Sequence, residues 1–530
     1  MNEEMDKEFE KIEGGTDEDK SLTEQLLGLV IKSGALLFHD QFKKGYIALH
    51  NDGRKVIKLR SKEFKTWLSN LGWKNLGKPI VASVIETAVM TFEGMAIHDG
   101  KEIELHIRLA NYDNALWYDL GDGRAVKITE TQWEMIDKPP ILFWRLPHQQ
   151  TQVAPMPGGD LTNIFQFIPE PKDPKEKTLL LVWLVAALIP GFPHPALAVN
   201  GPQGSRKSTL FKLLRRLIDP SAVELLAPTE DMREFVQLAS HHYFLPLDNL
   251  SHISRTLSDG LCRTITGEGF SKREIYTVDD DFVYNFRRIV GLNGINQVVD
   301  KPDLLERLVL VNLERPAVYE KEQRLFEKFE QARPMLLGAL LSAVVKALQA
   351  VKNQTEVAGL ESYRMSDFAR WGCAVASALG LNSQDFVAAL QGNLEQQNAE
   401  VIDASPVAQV IVEFMNDKTE PVEDTPTNLL EQFKGMAPEL KIDTNTKEFP
   451  KTPSWLWKRM VRVKTNLQTM GIDIERAKDG QRLIKITKQQ IPIDEGPDEQ
   501  GYSFEELAQK LDSAPDTPDN ADSKDSILPI

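Results

Sequence analysis

Residues 196–214 read ALAVNGPQGSRKSTLFKLL, an apolar run that enters a glycine-containing loop from which a helical pattern leaves. Gly201 and Gly204 allow backbone conformations that other residues avoid, so the amide groups of the loop can converge on phosphate oxygens. The helix that begins near Lys207 adds the partial positive charge of its N-terminus. This order of strand, loop and helix predicts a P-loop that binds phosphate.

The polar side chains of this loop have expected roles. Lys207 would lie between the β- and γ-phosphates of ATP, and Ser208 would supply a hydroxyl ligand to Mg²⁺. Arg206 stands where the usual pattern has glycine. The alternative is an ordinary glycine-rich turn before a helix. The residues expected to contact the nucleotide are Gly201, Gly204, Ser205, Arg206, Lys207, Ser208 and Thr209.

A second apolar run, HHYFLPLDN, ends in Asp248 and Asn249. An Asp at the end of such a strand holds Mg²⁺ in P-loop ATPases. Many of them carry a Glu next, as the base that activates water, but here Asn249 takes that position. Glu268 is the candidate for this base. A buried strand that ends in Asp is also common without any metal site.

Two more elements follow. The run RIVGLNGIN ends in Asn293, whose amide can orient the attacking water. The stretch DLLERLVL places Arg307 just before another strand, where an arginine can reach the γ-phosphate of an adjacent subunit and stabilise the charge of the transition state. The alternative for Arg307 is a surface salt bridge with Asp303 or Glu306. A small-molecule kinase would leave Asn293 and Arg307 without a role.

This order of elements resembles the core of the AAA+ ATPases. Residues 261–276 (LCRTITGEGFSKREIY) are similar to the segment before the sensor strand in superfamily-3-like helicases of phages and mobile elements, which include primase-helicases. The resemblance spans about residues 176–320 and implies a ring, expected to be a hexamer, that hydrolyses ATP between subunits. It also implies that Lys272 and Arg273 grip single-stranded DNA in the central channel. The chain has Gly-Glu where the family has Gly-Asp, and a solvated surface pair is the alternative.

Composition and periodicity divide the chain into six parts. The central part alternates helix and strand, as a parallel α/β sheet does, and then becomes helical. Within that helical lid Arg370 is the expected nucleotide-contacting arginine, with Arg364 as its alternative. The expected parts are an acidic disordered tail (1–20), an α+β accessory domain (21–155), a linker (156–175), the ATPase with its lid (176–397), a winged-helix domain (405–489) and a second acidic disordered tail (490–530).

The formal charge of −16 would argue against a nucleic-acid partner if it were evenly spread. Most of the acidic excess lies in the two tails, while residues 41–80 hold ten basic and two acidic residues. Tyr46, Trp67 and Trp73 are interleaved in that block, and basic groups with aromatic rings suit phosphate contacts and base stacking. A solvated charged surface is the alternative for this block.

A second basic block, residues 451–490, holds ten basic and three acidic residues. Its apolar residues form one helical stripe, and a basic hairpin follows. With two preceding helices the pattern resembles a winged helix, whose third helix enters the major groove of DNA. A winged helix used for protein contacts is the alternative. The residues expected to contact DNA here are Lys458, Arg459, Arg462 and Lys478.

These features together predict an ATP-dependent DNA helicase or translocase that acts in replication of a mobile element or prophage. The alternatives are a DNA-binding AAA+ initiator or regulator that does not unwind DNA, and an ATPase that remodels proteins. Two cysteines and an acidic N-terminus without a signal pattern favour a cytoplasmic protein with no membrane segment. The acidic tails are candidate contacts for replication proteins.

Overall fold

The computed structural model describes residues 21–49, 55–250, 252–270, 286–294, 302–353, 360, 363–476 and 483–488. Both acidic tails lie outside these described residues. So do three of the residues expected to contact DNA, Lys272, Arg273 and Lys478. The expectations for all of these residues therefore stay predictions.

The N-terminal region combines helices with two four-stranded sheets. Its elements are α1 (Leu22–Lys32), β1 (Leu36–His39), β2 (Gly45–Leu49), β3 (Lys55–Lys58), α2 (Lys62–Leu76), α3 (Ala82–His98), β4 (Lys101–Glu102), β5 (Leu109–Tyr112), β6 (Ala115–Asp119), β7 (Ala125–Ile128) and β8 (Trp133–Ile136). The first sheet has the order β3-β2-β1-β4 and packs against α1, α2 and α3. The second is an antiparallel meander of β5 to β8.

The central region is built on a parallel sheet, which confirms the predicted α/β class. After a short 3₁₀ helix (Leu161–Gln166), its elements are α4 (Pro174–Ala186), β9 (Ala196–Asn200), α5 (Lys207–Ile218), α6 (Met232–His241), β10 (Phe244–Leu247), α7 (Arg255–Thr266), β11 (Ile289–Asn293), α8 (Pro302–Leu305), β12 (Leu308–Asn312), α9 (Glu322–Asn353), α10 (Ser366–Ala378) and α11 (Ser383–Ala404). The strand order is β10-β11-β9-β12, with every pair parallel. Helices cover both faces, so the strands are almost entirely buried.

One glycine lets α5 lie close to the sheet. A Cβ added at Gly291, in the middle of β11, would come within 2.3 Å of the Phe211 ring on α5. Such a contact is far below van der Waals separation, so any larger residue would push the helix away. The position of α5 matters because its first turn carries Lys207 and Ser208.

Helix α9 is long and apolar enough, by length and composition, to cross a membrane. Just over half (56%) of its most apolar window is buried inside the protein. Leu337 and Leu340 of this helix are fully buried in the same core as Leu180 of α4. Its apolar character is therefore accounted for by packing within the protein.

The C-terminal region consists of three helices and a small antiparallel sheet. Its elements are α12 (Pro406–Phe414), β13 (Val422–Asp424), α13 (Pro426–Met436), α14 (Pro453–Thr469), β14 (Ile472–Arg476) and β15 (Ile484–Lys488). The sheet has the order β13-β15-β14. The apolar stripe expected on α14 is buried at Leu456, Met460, Val463 and Leu467. The two strands after α14 pair as predicted.

A fully buried ion cluster joins the N-terminal meander to the central region. Asp219, at the end of α5, accepts hydrogen bonds from Arg108 Nε at 3.0 Å and from Arg215 Nη1 at 2.9 Å. Arg215 also donates to His242 Nδ1 at 2.6 Å. Burial, helped by the charge of Arg215, lowers the pKa of His242 to about 3, so its ring is neutral and can accept this bond. The two arginines hold the pKa of Asp219 well below its usual range despite burial.

Asp219→Asn tests how strongly this cluster stabilises the fold. The change leaves two guanidinium groups buried without a counter-charge, so we expect the free energy of unfolding to fall by about 3–5 kcal/mol. Asp122→Asn is the matched control, because it removes a surface carboxylate that pairs with Arg124 at 2.6 Å, and it should cost about 1 kcal/mol or less. Urea unfolding measures both, and equal losses in the two variants would contradict the role given to Asp219.

Candidate nucleotide site

The loop between β9 and α5 has the backbone that its glycines predict. Gly201 has φ +146° and Gly204 has φ +87°, both in the region that favours glycine. A Cβ added at Gly201 would meet the carbonyl oxygen of Leu313 at 2.2 Å. The loop therefore has no room for a side chain at this point, where it turns away from β9.

Arg206, which departs from the usual glycine, adopts a left-handed conformation with φ +61° and ψ +28°. This conformation costs a non-glycine residue about 1–2 kcal/mol, which explains why glycine is common at this position. The Arg206 guanidinium lies 5.8 Å from the centre of the Tyr319 ring, a distance typical of a cation–π contact. The loop therefore holds an arginine at this position at the cost of a strained backbone.

The chain that follows β12 holds the outer side of the loop. Arg315 Nε donates to the Gln203 carbonyl at 2.7 Å, and Tyr319 Oη donates to the Gly204 carbonyl at 3.0 Å. With these carbonyl groups bound on one side, the peptide groups keep their N–H groups directed the other way. Arg315 and Tyr319 could not be predicted from the sequence, because no pattern links them to a loop more than a hundred residues earlier.

Three polar side chains meet where β9, β10 and β11 end. Ser208 Oγ donates to Asp248 Oδ1 at 2.9 Å, and Asn293 Nδ2 donates to Ser208 Oγ at 3.0 Å and also to Asp248 Oδ1. Asn293 is 3% exposed, and its Oδ1 atom is buried without a hydrogen-bond partner. The structure therefore brings together one residue that the sequence placed at the start of a helix and two that it placed at the ends of separate strands.

This cluster suits a magnesium ion by its chemistry. Mg²⁺ prefers oxygen ligands and usually binds through one or two carboxylates together with phosphate and water. Ser208 and Asp248 supply a hydroxyl and a carboxylate side by side. The unpartnered Oδ1 of Asn293 is an additional acceptor that a bound water would satisfy.

Lys207 lies at the mouth of the same loop. Its Nζ donates to the carbonyl oxygens of Gly201 at 2.6 Å and Pro202 at 3.1 Å. Partial burial lowers the pKa of Lys207, and the nearby Asp248 carboxylate opposes this shift. Ser205 is fully buried and its hydroxyl has no partner, which leaves a polar atom available within the loop.

Arg307 lies at the N-terminal end of the strands, opposite the end that carries this cluster. It comes just before β12, and its carbonyl accepts the amide of Ala196 at the start of β9. The length of β9 separates the two edges by about 15 Å. Arg307 is 8% exposed and pairs with Asp303 at 3.0 Å, which is the salt bridge that the sequence analysis gave as an alternative. Arg364 pairs with the same Asp303, so it also belongs to this edge.

Glu268 also lies away from the cluster. It follows the C-terminal end of α7, whose Thr264 carbonyl accepts the amide of Arg288 just before β11. Strand β11 begins at the end of the sheet that is remote from Ser208. Glu268 therefore does not reach the cluster of its own subunit, and α7 is the reason, because its twelve residues carry the chain about 18 Å back across the sheet.

The other expected residues occupy different surroundings. Arg370 is exposed on α10, and Thr209 lies in the first turn of α5. Lys458 is exposed on α14, whereas Arg459 and Arg462 line a cavity of about 360 Å³ between α14 and the central sheet. Asn293 and Glu400 line the same cavity from the central region.

Two family models match the chain. Residues 169–397 match the actinomycete integrative conjugative element replication protein, and residues 407–500 match the AICE RepA C-terminal domain. Together the two ranges cover more than half of the sequence, and they confirm the resemblance to replication proteins of mobile elements. No curated protein matches the sequence.

Three solved structures show a distant similarity to this chain. The SCCmec type IV Cch active helicase has 13% sequence identity and a TM-score of 0.45, over 86% of this chain and 92% of that one. The apo NrS-1 C-terminal region has 13% identity and a TM-score of 0.41, over 89% of this chain and 100% of that one. The JCV helicase has 12% identity and a TM-score of 0.20, over 40% of this chain and 68% of that one.

Gly201→Ala tests the conformation of the loop without assuming a ligand. The added Cβ meets the Leu313 carbonyl and requires a left-handed backbone, so we expect a loss of about 1–3 kcal/mol in stability. Gly435→Ala, within α13 and with open space around its Cβ position, should instead gain about 0.5–1 kcal/mol. Thermal unfolding of both variants gives the comparison. Absence of any loss of stability in Gly201→Ala would show that the loop has another conformation.

Proposed function

We propose that this chain, which belongs to the actinomycete integrative conjugative element replication proteins, is an ATP-dependent DNA helicase or translocase of the AAA+ type. The observation that carries the proposal is the contact of Ser208, Asp248 and Asn293 beside the Gly201–Lys207 loop. These are the residues that a P-loop ATPase needs for metal binding and for the positioning of water. Replication of a mobile element follows from the family, and the motor activity is the proposed part.

ATP and Mg²⁺ are the ligands that the site fits. The loop amides and Lys207 would bind the β- and γ-phosphates, while Ser208 and Asp248 would hold the metal. A bound Mg²⁺ would neutralise charge on the phosphate oxygens. Phosphate oxygens would take the place of the carbonyl groups that Lys207 now contacts, because they are stronger acceptors for an ammonium group.

Asn293 would position the attacking water. Its Nδ2 group is held by Ser208 and Asp248, which fixes the orientation of the amide, and its Oδ1 atom is left free to accept a hydrogen bond. An amide does not remove a proton efficiently, so Asn293 orients the water and a carboxylate must take the proton. Glu268 of the same subunit lies at the other end of the strands, so it could reach this site only from a neighbouring subunit.

Arg307 would complete the site of a neighbouring subunit. It lies about 15 Å from the cluster of its own subunit, so it can act only on a nucleotide held by another copy. A contact between the Arg307 end of one copy and the nucleotide site of the next is a head-to-tail contact. Such contacts close into a ring when the rotation between copies allows it. A hexamer is the expected ring. Arg307 would exchange its pairing with Asp303 for the γ-phosphate.

The contact with DNA would involve two regions. Lys272 and Arg273, outside the described residues, are the proposed channel contacts. The C-terminal region would contact DNA as a winged helix, a proposal supported by its three helices and three-stranded antiparallel sheet. Its helix α14 is partly occupied by the central region, since Asn466 Nδ2 donates to Asn398 Oδ1 at 2.8 Å.

A DNA-binding initiator or regulator ATPase that does not unwind DNA is the second candidate function. The winged helix proposed for the C-terminal region favours it, because such a domain recognises duplex DNA. The two candidates differ in one measurable property. A helicase separates the strands of a forked duplex when ATP is supplied, whereas an initiator binds its duplex and leaves it paired.

Mixing two inactive variants tests the shared site. Lys207→Ala and Arg307→Ala should each lower the ATPase rate at least about 100-fold. In mixed rings, a Lys207 from one variant meets an Arg307 from the other at about a quarter of the interfaces, so about a quarter of the wild-type rate should return. Steady-state ATP hydrolysis, with and without single-stranded DNA, measures this recovery.

The outcomes of this experiment separate the assignments. Activity that persists in Lys207→Ala would contradict the nucleotide site, and absence of recovery on mixing would contradict Arg307 acting between subunits. Arg124→Ala, which removes a surface arginine from the N-terminal region, is the matched control and should retain full activity. Wild-type protein that hydrolyses ATP but fails to unwind a forked duplex would favour the initiator.

A further inference from the structure

Helix α2 in the N-terminal region has an outward face formed by basic and small polar residues that ends in a tryptophan. These residues recur every three or four positions, so they lie on one side of the helix. They line a shallow depression that extends about 16 Å along the helix axis. The lining residues are Lys62, Lys65, Thr66, Ser69, Asn70 and Trp73.

Trp73 is much more exposed than the other aromatic residues of this basic block. Its side chain is 59% exposed, whereas Tyr46 is 4% exposed and donates to Asp40. Trp67 is stacked on the Phe64 ring at 5.7 Å, which ties it to the core. An indole that stays mostly in water beside lysines offers an aromatic face on which a base can stack while the lysines contact phosphates.

The charge of this surface is positive after its ion pairs are taken into account. Residues 55–78 contain seven basic residues and one acidic residue. That acid, Glu63, pairs with Lys55 at 2.7 Å, and Lys65 pairs with Glu86 of α3 at 2.5 Å. Among the described residues, no carboxylate pairs with Lys62 or Lys74. Two lysines near the two ends of α2 therefore keep their full attraction for an anion.

We propose that this face of α2 binds single-stranded DNA, with Trp73 stacking on a base and Lys62 contacting a phosphate. Lys74, which adjoins Trp73 outside the depression, would contact a second phosphate as the strand leaves the face. The small side chains of Ser69 and Asn70 leave the space beside the indole open for a base and its sugar. Stacking on a side chain requires a base whose face is free, and bases in a duplex already stack on one another. A single strand therefore fits Trp73, whereas a duplex would use only the lysines.

This surface is separate from the nucleotide site and goes beyond the motor function proposed above. It lies on a helix that packs against the first sheet of the N-terminal region, and binding at this surface would need no ATP. A second contact of this kind would hold the single strand outside the central channel. Because binding is measured without nucleotide, a failure of the ATPase assignment would not affect the result.

Binding of a fluorescein-labelled 30-nucleotide oligo(dT) to the full-length chain, followed by fluorescence anisotropy without nucleotide, tests the proposal. Trp73→Ala should weaken binding about tenfold, which is within the range for one stacked base. Trp73→Phe keeps an aromatic face and should stay within about threefold of the wild type. Lys62→Glu combined with Lys74→Glu should lower the slope of log affinity against log salt by about 0.7 for each phosphate that the protein no longer neutralises.

Met90→Ala is the matched control, because Met90 is 65% exposed on α3 of the same region and its replacement should leave binding unchanged. Unchanged binding in Trp73→Ala, or equal weakening in Trp73→Ala and Trp73→Phe, would overturn the proposal. Equal weakening of single-stranded and duplex DNA by Trp73→Ala would also overturn it. Because Trp73 lies outside the core, the thermal unfolding midpoint of Trp73→Ala should match that of the control and separate lost binding from lost folding.

Discussion

The parallel register of β10, β11 and β9 is the constraint on which the candidate site depends. Leu247 lies opposite Leu292, and Asn293 lies opposite Val199, so the three strands end at one edge within a residue of each other. A shift of one residue in β11 would turn the Asn293 side chain to the other face of the sheet. The close packing of Gly291 against Phe211 holds α5 in the matching position, and Ser208 then meets Asp248 and Asn293.

The sequence predicts those parts of the site that lie where a strand ends and a polar residue follows. Asp248 and Asn293 are found in this way, since parallel strands bring their carboxyl ends to a common edge whatever the loops between them do. Glu268 shows the limit of such reasoning. Its distance along the chain says nothing about the edge it occupies, because α7 reverses the direction of the chain. Arg315 and Tyr319 cannot be predicted in this way either, because they bind the loop through backbone carbonyl groups, which every residue has.

The basic blocks show a different limit, because composition counts charges and rings without their surroundings. In the block at residues 41–80, Tyr46 is buried and Trp67 is partly buried against Phe64, whereas Trp73 offers most of its ring to solvent. In α14, the sequence predicts DNA contacts for Lys458, Arg459 and Arg462, yet Arg459 and Arg462 line a cavity against the central region. Helix α14 packs against several elements of both regions, so one apolar stripe does not describe all of its contacts. Lys458 and Arg462 are exposed on α14 whereas Arg459 is half-buried, so a contact of this helix with duplex DNA would begin at the two exposed side chains.

Helix α5 connects these regions, because it is fixed at both of its ends. Its first turn holds Lys207 and Ser208, and its last turn carries Arg215, which binds Asp219 directly after the helix. Asp219 is in turn bound by Arg108 of the N-terminal meander, in a fully buried site. A buried ion pair of this kind resists separation, since each charge would be left without a partner in a medium of low polarity. Any movement of the phosphate loop that shifts α5 along its axis must therefore carry the meander with it. Such a link would give the proposed motor a rigid contact with the region that precedes it in the chain.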